Sequence, residues 1–254
     1  MSTEEITDSL EKLSIKKNAS TSSSSVKPKL SYDKAALKER WKILGADPEQ
    51  SILSMIRKAC MNIFARQDFF KILQAIKQSF VQRDYEGIFT DPVNLEVYTA
   101  AYVPGRALCY FELFSMRPAL LKILMKRSHL YCIGSGSGSE LTAIAAAMTR
   151  VPAERQRVKL IMQDIGDYKS ILDSLESTIR EKWLLTPEQL ECTYEQGDIL
   201  DPNNSSIDTR LAEADLITFM FVMNELFVKK AAAMTLIQKM IQSMKKGAHL
   251  LVWI

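Results

Sequence analysis

The chain has 254 residues, 47% of them hydrophobic and 25% charged, a balance typical of a globular protein with a sizeable core. A net charge of +3 does not indicate nucleic-acid binding, and two histidines with four scattered cysteines argue against a zinc site, a Ser-His-Asp triad or a disulfide framework. The longest apolar run, 216–223, is far shorter than the ~20 residues of a membrane span, and the amino terminus does not resemble a signal peptide.

Residues 1–31 form a tail that is rich in serine and lysine and nearly free of aromatic side chains. Such a segment cannot bury enough apolar surface to offset its ordering entropy. We therefore expect it to be disordered.

Residues 32–127 carry apolar side chains at spacings of three and four, which predicts a helical module of four or five helices. Asp47-Pro48 and Asp91-Pro92 each supply an N-cap and a first-turn proline. No catalytic cluster is evident within this module.

One stretch of the module, 98–107, departs from the pattern because Pro104-Gly105 is expected to break a helix just before Arg106. One interpretation is a helix-to-helix turn with Arg106 in solvent. The other is a substrate-binding lip, in which Tyr102 and Arg106 stack on an unpaired base.

From residue 128 to 254, short apolar runs alternate with helical segments, the pattern of a doubly wound parallel α/β sheet. The predicted helices include 141–148, 168–183 and 228–245, and the predicted strands are 130–133, 158–163, 192–195, 216–221 and 248–254. The fifth strand is expected to be buried. Because it has no turn or polar ending, we expect the natural protein to continue, with the last strands of the sheet missing here.

The turn after the first strand carries glycines at alternate positions, Gly134, Gly136 and Gly138. Glycine permits positive φ and close approach of a ligand. The next helix presents free N–H groups to the same turn. This pattern predicts a nucleotide-type site at the carboxyl end of the strand.

Acidic residues follow the next two strands. Asp164 can accept hydrogen bonds from both ribose hydroxyls, and Asp198 can accept one from the amino group of adenine. Because Glu140 in the first helical turn would repel a pyrophosphate, the combination favours S-adenosylmethionine over a dinucleotide. The alternative for either aspartate is an ordinary loop carboxylate or helix cap.

The fourth strand leads into Asn224 and Glu225, at the position that faces the transferred methyl group in a fold of this kind. These two are the candidate catalytic residues, with a helix cap as the alternative. Phe221 and Phe227 are expected in the core, or one of them as a wall of the base pocket.

Four segments together resemble the fungal large-subunit (25S) rRNA uridine-N3 methyltransferases: 102–108, 132–140, 163–168 and 219–227. The resemblance covers about residues 84–254, and Asn-Glu-Leu-Phe at 224–227 is its most specific part. It implies a class I Rossmann-like methyltransferase, here a partial one, that uses S-adenosylmethionine and no metal to methylate N3 of a uridine. Its implied partner is large-subunit rRNA or a pre-ribosome, in the nucleus (nucleolus) and cytoplasm.

With that resemblance, Glu225 is expected to be the base or a base-edge acceptor, and Asn224 to orient the uracil carbonyls. Three other functions stay open. They are a methyltransferase acting on a protein or small molecule, a non-catalytic ribosome-assembly factor with the same fold, and a nicotinamide oxidoreductase.

Overall fold

Five parallel strands form the centre of the molecule: β1 (Arg127–Ile133), β2 (Arg157–Asp164), β3 (Leu190–Gln196), β4 (Leu216–Met220) and β5 (His249–Trp253). Their order in the sheet is β3-β2-β1-β4-β5. The computed structural model describes residues 34–253, so the predicted disordered tail lies outside the described residues. The sheet confirms the predicted α/β, Rossmann-like class.

Helices cover both faces of this sheet. They are α1 (Lys34–Lys42), α2 (Pro48–Ala59), α3 (Met61–Phe64), α4 (Phe69–Gln82), α5 (Tyr85–Phe89), α6 (Pro92–Met116), α7 (Pro118–Leu124), α8 (Ser139–Met148), α9 (Lys169–Trp183), α10 (Ser206–Glu213), α11 (Met223–Leu226) and α12 (Lys230–Ser243). Side chains of β1 alternate between two cores, with Leu130 and Cys132 in the larger one and Tyr131 and Ile133 in the smaller. The smaller core contains α10 and α12, and the larger contains α8, α9 and the helical module.

The helical module contains seven helices within residues 34–124, where four or five were expected. The additional helices are short, and a helix of one or two turns shows no clear apolar period. Both predicted caps form, since Asp47 accepts a bond from the backbone N–H of Gln50 at 2.9 Å and Asp91 from that of Val93 at 2.8 Å. None of the helices within 34–253 is both long and apolar enough to cross a membrane.

Helix α6 continues through Pro104, so the predicted break at Pro104-Gly105 is wrong. An internal proline costs a helix about 3 kcal/mol. The helix nevertheless buries an apolar stripe at helical spacing, largely against α8. The stripe consists of Val97, Ala100, Val103, Ala107, Tyr110 and Phe114. Because a large buried apolar side chain contributes about 1.5–3 kcal/mol, the stripe outweighs the cost of the proline.

The last two strands differ from their predicted form. Strand β4 ends at Met220, because Phe221 takes a positive φ of 61° and leaves the extended conformation. The prediction that β5 is buried is wrong: Leu250 is 43% exposed and Val252 is 40% exposed. Within the described residues β5 pairs with β4 alone, so it is an edge strand.

Candidate active site

A cavity of about 500 Å³ opens at the carboxyl ends of the central strands. From β1 the chain proceeds to β2 and β3 on one side of the sheet and to β4 and β5 on the other. Open α/β sheets bind ligands at such a switch point. The volume is within the ~300–1,000 Å³ of small-molecule sites. Five of the predicted site residues line it: Gly134, Asp164, Asp198, Glu225 and Arg106. The other four lie outside the lining: Gly136, Gly138, Asn224 and Tyr102.

The glycine loop is held by close packing inside the protein. A Cβ on Gly134 would lie 2.4 Å from Cγ2 of Val222, and one on Gly136 would lie 2.1 Å from Cδ2 of Tyr168. Gly134 and Gly138 also take positive φ, at 70° and 86°. Internal packing and backbone conformation therefore require glycine at these positions, and Gly134 in addition lines the cavity.

Asp164 connects the end of β2 to this loop. Its Oδ2 accepts the backbone N–H of Gly136 at 2.9 Å, and its Oδ1 accepts that of Gly166 at 3.1 Å. Burial raises the pKa of Asp164, and these backbone bonds oppose the rise. Since each carboxylate oxygen has a second lone pair, Asp164 can hold the loop and still accept bonds from ribose hydroxyls.

Asp198 lies beyond β3 and already has two partners. Its Oδ1 accepts a hydrogen bond from the backbone N–H of Leu200 at 2.8 Å, and its Oδ2 accepts one from Nζ of Lys229 at 3.2 Å. Lys229 comes from the single 3-10 turn Phe227–Lys229 after β4 and also lines the cavity. The ion pair therefore joins the loops after β3 and β4 at the cavity.

Glu225 lies in α11, directly after β4, with its side chain half-buried in the cavity lining. Burial raises its pKa to about 8, the carboxyl of Asp164 adds to this rise, and the guanidinium of Arg106 opposes it. Asn224, its neighbour, is exposed. The cavity thus contains a glutamate whose pKa is raised, and the roles of Glu225 as a base and of Asn224 as an orienter stay predictions.

Arg106 is enclosed by aromatic rings. Its guanidinium carbon lies 5.3 Å from the ring centroid of Tyr98, 5.5 Å from that of Tyr102 and 5.0 Å from that of Phe221, and it donates a hydrogen bond to the Tyr98 hydroxyl. Burial lowers the pKa of Arg106, but the facing groups, Tyr98 first, outweigh burial and raise it. The interpretation of Arg106 as a solvated side chain in a turn is therefore wrong.

Phe221 lines the cavity in a strained conformation. A positive φ is unfavourable for an aromatic residue and persists only where the surroundings enforce it. The Phe221 ring stacks on Tyr110 with centroids 6.4 Å apart, and its backbone N–H donates to the carbonyl of Trp253 at 2.8 Å. Phe227, by contrast, is 38% exposed, so its expected place in the core is wrong.

Glu140, in the first turn of α8, is 2% exposed, and its Oε1 has no hydrogen-bond partner within the described residues. Burial raises its pKa to about 8, and Arg106 opposes the rise. Glu140 is not in the cavity lining. Any repulsion between Glu140 and a pyrophosphate would therefore act from behind the lining, and this role of Glu140 stays a prediction.

The charges of the lining indicate what the cavity can hold. Five carboxyl groups line it: Asp84, Glu86, Asp164, Asp198 and Glu225. Three cations accompany them: Arg83, Arg106 and Lys229. Excess carboxyl groups complement a positively charged ligand and disfavour a pyrophosphate, so the residues fit S-adenosylmethionine. No cluster of metal-binding side chains occurs within residues 34–253.

The fold and this cavity define a Rossmann-like protein with a site for a cationic nucleoside cofactor. A family model described as "Putative SAM-dependent methyltransferase" matches residues 56–253, and the chain belongs to this family, whose cofactor is S-adenosylmethionine. The chain is also 30% identical, over 209 residues, to the 25S rRNA (uridine(2843)-N(3))-methyltransferase of Saccharomyces cerevisiae. The match covers 71% of this chain and 56% of that relative, so the chain spans little more than half the relative's length.

Sequence reasoning missed Tyr98, which lines the cavity and accepts the hydrogen bond from Arg106. A signal was available, because Tyr98, Tyr102 and Arg106 recur every four residues and share one face of a continuous helix. The supposed break at Pro104 concealed it. Lys229 was also missed, since nothing local connects it with Asp198, 31 residues earlier.

Proposed function

We propose that this protein transfers the methyl group of S-adenosylmethionine to N3 of a uridine in large-subunit ribosomal RNA. The observation that carries the proposal is the position of Glu225, directly after β4 and in the same cavity as Gly134 and Asp164, where burial raises its pKa to about 8. Uracil N3 bears a proton, so its methylation needs a base, and a base is most effective when its pKa lies near the working pH. The similarity to the yeast enzyme supports uridine as the acceptor.

On the cofactor side, Asp164 is proposed to accept the ribose hydroxyls and Asp198 the adenine amino group, with the Gly134–Gly138 loop beneath them. The cofactor supplies an electrophilic methyl group. Glu225 is proposed to take the N3 proton, with Asn224 orienting the uracil carbonyls. Arg106 and Tyr102 are proposed to position the base, helped by the ring of Phe221. Positioning of this kind supplies much of the rate enhancement of a two-substrate transfer.

Mass spectrometry of nucleosides from large-subunit rRNA tests the proposal. Cells that lack the protein should lose one N3-methyluridine, the wild-type gene should restore it, and a Glu225→Gln gene should not. An unchanged amount of N3-methyluridine in the deleted cells would contradict the enzymatic function and favour a non-catalytic assembly factor.

The RNA partner has a separate test, which is retention of the protein on rRNA fragments across a salt series. Binding to phosphates weakens steeply as salt rises, whereas recognition of a protein or small-molecule acceptor need not. We propose rRNA or a pre-ribosome as the partner, and consequently the nucleolus and cytoplasm as the locations.

A further inference from the structure

The titratable groups around Glu225 come from several elements. Those that face it are Asp164 at the end of β2, Arg106 and Tyr98 on α6, and Tyr168 before α9. Burial raises the pKa of both tyrosines, so they are neutral at pH 7. The other charged groups of the lining are Asp84, Glu86 and Asp198, with Arg83 and Lys229, so carboxyl groups outnumber cations around Glu225.

The hydrogen bonds distinguish the two carboxyl groups. Burial raises the pKa of Asp164, but both of its oxygens accept backbone N–H groups, which favours its ionised form. Within residues 34–253 the Glu225 carboxyl accepts no hydrogen bond and forms no ion pair, and it lies in a half-buried site. Glu225 therefore lacks the hydrogen bonds that favour the ionised form of Asp164, and the excess of carboxyl groups in the lining favours its protonated form.

We infer that Glu225 is protonated in the free protein and releases this proton when a sulfonium ion enters the cavity, so that cofactor binding itself prepares the base. The inference rests on the proposed function, because it concerns the same base and the same cofactor. The sulfonium brings a positive charge into a cavity with an excess of carboxyl groups, and this charge favours the ionised form of Glu225.

The expected change in pKa is large enough for this behaviour. An opposite charge within ~4–6 Å lowers the pKa of a carboxyl by about 1 to 3. Starting from about 8, a lowering of this size would bring the pKa of Glu225 to neutral pH or below it. Asp164 needs no such change because its backbone partners already favour the carboxylate.

Protons and electrons balance over the cycle. When the cofactor binds, the O–H bond of Glu225 breaks and the proton goes to solvent. In the transfer step, Glu225 accepts the proton of uracil N3, while the N3–CH3 bond forms and the S–CH3 bond breaks with its electron pair remaining on sulfur. The product sulfur is uncharged, so the protonated form of Glu225 is favoured again. One proton is released per turnover, as the overall reaction requires.

Titration calorimetry at pH 7 in buffers with different ionisation enthalpies tests the inference, because the buffer dependence of the heat counts the protons released on binding. S-adenosylhomocysteine is the matched control ligand, since it has the same amino group, carboxylate and nucleoside but no sulfonium. We expect S-adenosylmethionine to release more protons than S-adenosylhomocysteine, by up to about one per site, because burial raises the pKa of Glu225 to about 8 in the free protein.

Two matched variants identify the side chain that releases the additional proton. Glu225→Gln should abolish the difference between the ligands and still bind S-adenosylhomocysteine, which shows that its cavity is intact. Glu140→Gln should keep the difference, because Glu140 is outside the lining. The inference would be overturned if the wild-type protein released equal numbers of protons with both ligands. It would also be overturned if the difference persisted in Glu225→Gln or disappeared in Glu140→Gln. These results would leave the proposed function standing. Failure of the wild-type protein to bind either ligand would overturn the cofactor part of the proposed function, and the inference with it.

Discussion

The two sides of the cavity are built differently. We name the Gly134–Gly138 loop, Asp164 and Asp198 the cofactor side, and Arg106, Phe221 and Glu225 the acceptor side. On the cofactor side both aspartates accept backbone N–H bonds, and the loop packs tightly against its neighbours. On the acceptor side an aromatic residue is strained and a glutamate has its pKa raised to about 8.

The two sides differ in which features stabilise the folded protein and which destabilise it. Satisfied hydrogen bonds and tight packing give a rigid surface that needs no reorganisation when a ligand binds. Strained backbone and desolvated carboxyl groups cost stability and are found where a group must react. We therefore propose that the cofactor side binds and that the acceptor side transfers the proton.

The largest effect is expected from Gly136→Ala, which tests the rigidity of the cofactor side. The new Cβ would lie 2.1 Å from the Tyr168 ring and 2.7 Å from Cβ of Asp164, so both must move. We expect no measurable binding of S-adenosylhomocysteine by calorimetry, and a loss of about 1–3 kcal/mol in the free energy of unfolding.

Gly105→Ala is the matched control, because a Cβ there meets no atom within 4 Å and the site is an exposed helix position. It should stabilise the protein by about 0.5–1 kcal/mol and leave binding unchanged. Normal ligand affinity in Gly136→Ala would contradict the rigid-loop account.

Glu225→Gln should slow methyl transfer by about 10²–10⁴-fold, the usual contribution of a positioned general base. Single-turnover transfer of a labelled methyl group to unmodified large-subunit rRNA measures this rate. Because a base contributes through its ionised form, the wild-type rate should also rise with pH until Glu225 is ionised. A variant with the wild-type rate would remove Glu225 from the chemistry.

Glu140→Gln should change how stability depends on pH. Native Glu140 keeps its proton up to about pH 8, whereas its ordinary pKa is 4.5. Between these values the native state binds more protons than the unfolded state, so the free energy of unfolding falls as pH rises, by up to about 1.4 kcal/mol per pH unit for one group. Glu140→Gln should therefore be more stable than wild type at pH 8, with little difference at pH 4.5.

Urea unfolding across this pH range provides the measurement, with the exposed Glu112→Gln as control. If the free energy of unfolding of Glu140→Gln falls with pH as steeply as that of the wild type, Glu140 is not the group that stays protonated in the native state.

The smallest effect is expected from Lys229→Ala. The Lys229 side chain is 65% exposed in its ion pair with Asp198, and exposed pairs contribute less than about 1 kcal/mol. Thermal unfolding should shift little, and affinity for S-adenosylhomocysteine should stay within about threefold. A loss of binding as large as in Gly136→Ala would mean that the ion pair, and not the loop, organises the cofactor side.

The sequence predicted the cofactor side better than the acceptor side, for a physical reason. The loop and the two aspartates follow consecutive strands, so strand period and turn chemistry are enough to bring Gly134, Asp164 and Asp198 to one edge of the sheet. These are local signals, and the structure has all three in one cavity.

The acceptor side depends on contacts between distant parts of the chain. Arg106 reaches the cavity because α6 remains helical through Pro104, and the packing of that helix against α8 and other helices of the module outweighs the proline. The φ of Phe221 is likewise enforced by Tyr110 and the Trp253 carbonyl. Local propensity opposes both features, so tertiary packing had to be known before either could be predicted.

The most direct test of this division of roles is the affinity for S-adenosylhomocysteine of Asp164→Ala and Glu225→Gln, measured side by side by calorimetry. This ligand has no sulfonium, so it probes the cofactor side without engaging the proton of Glu225. The account predicts at least about tenfold weaker binding for Asp164→Ala, a loss of 1.4 kcal/mol or more, and wild-type affinity within about twofold for Glu225→Gln. Equal losses in the two variants, or a loss in Glu225→Gln alone, would contradict it.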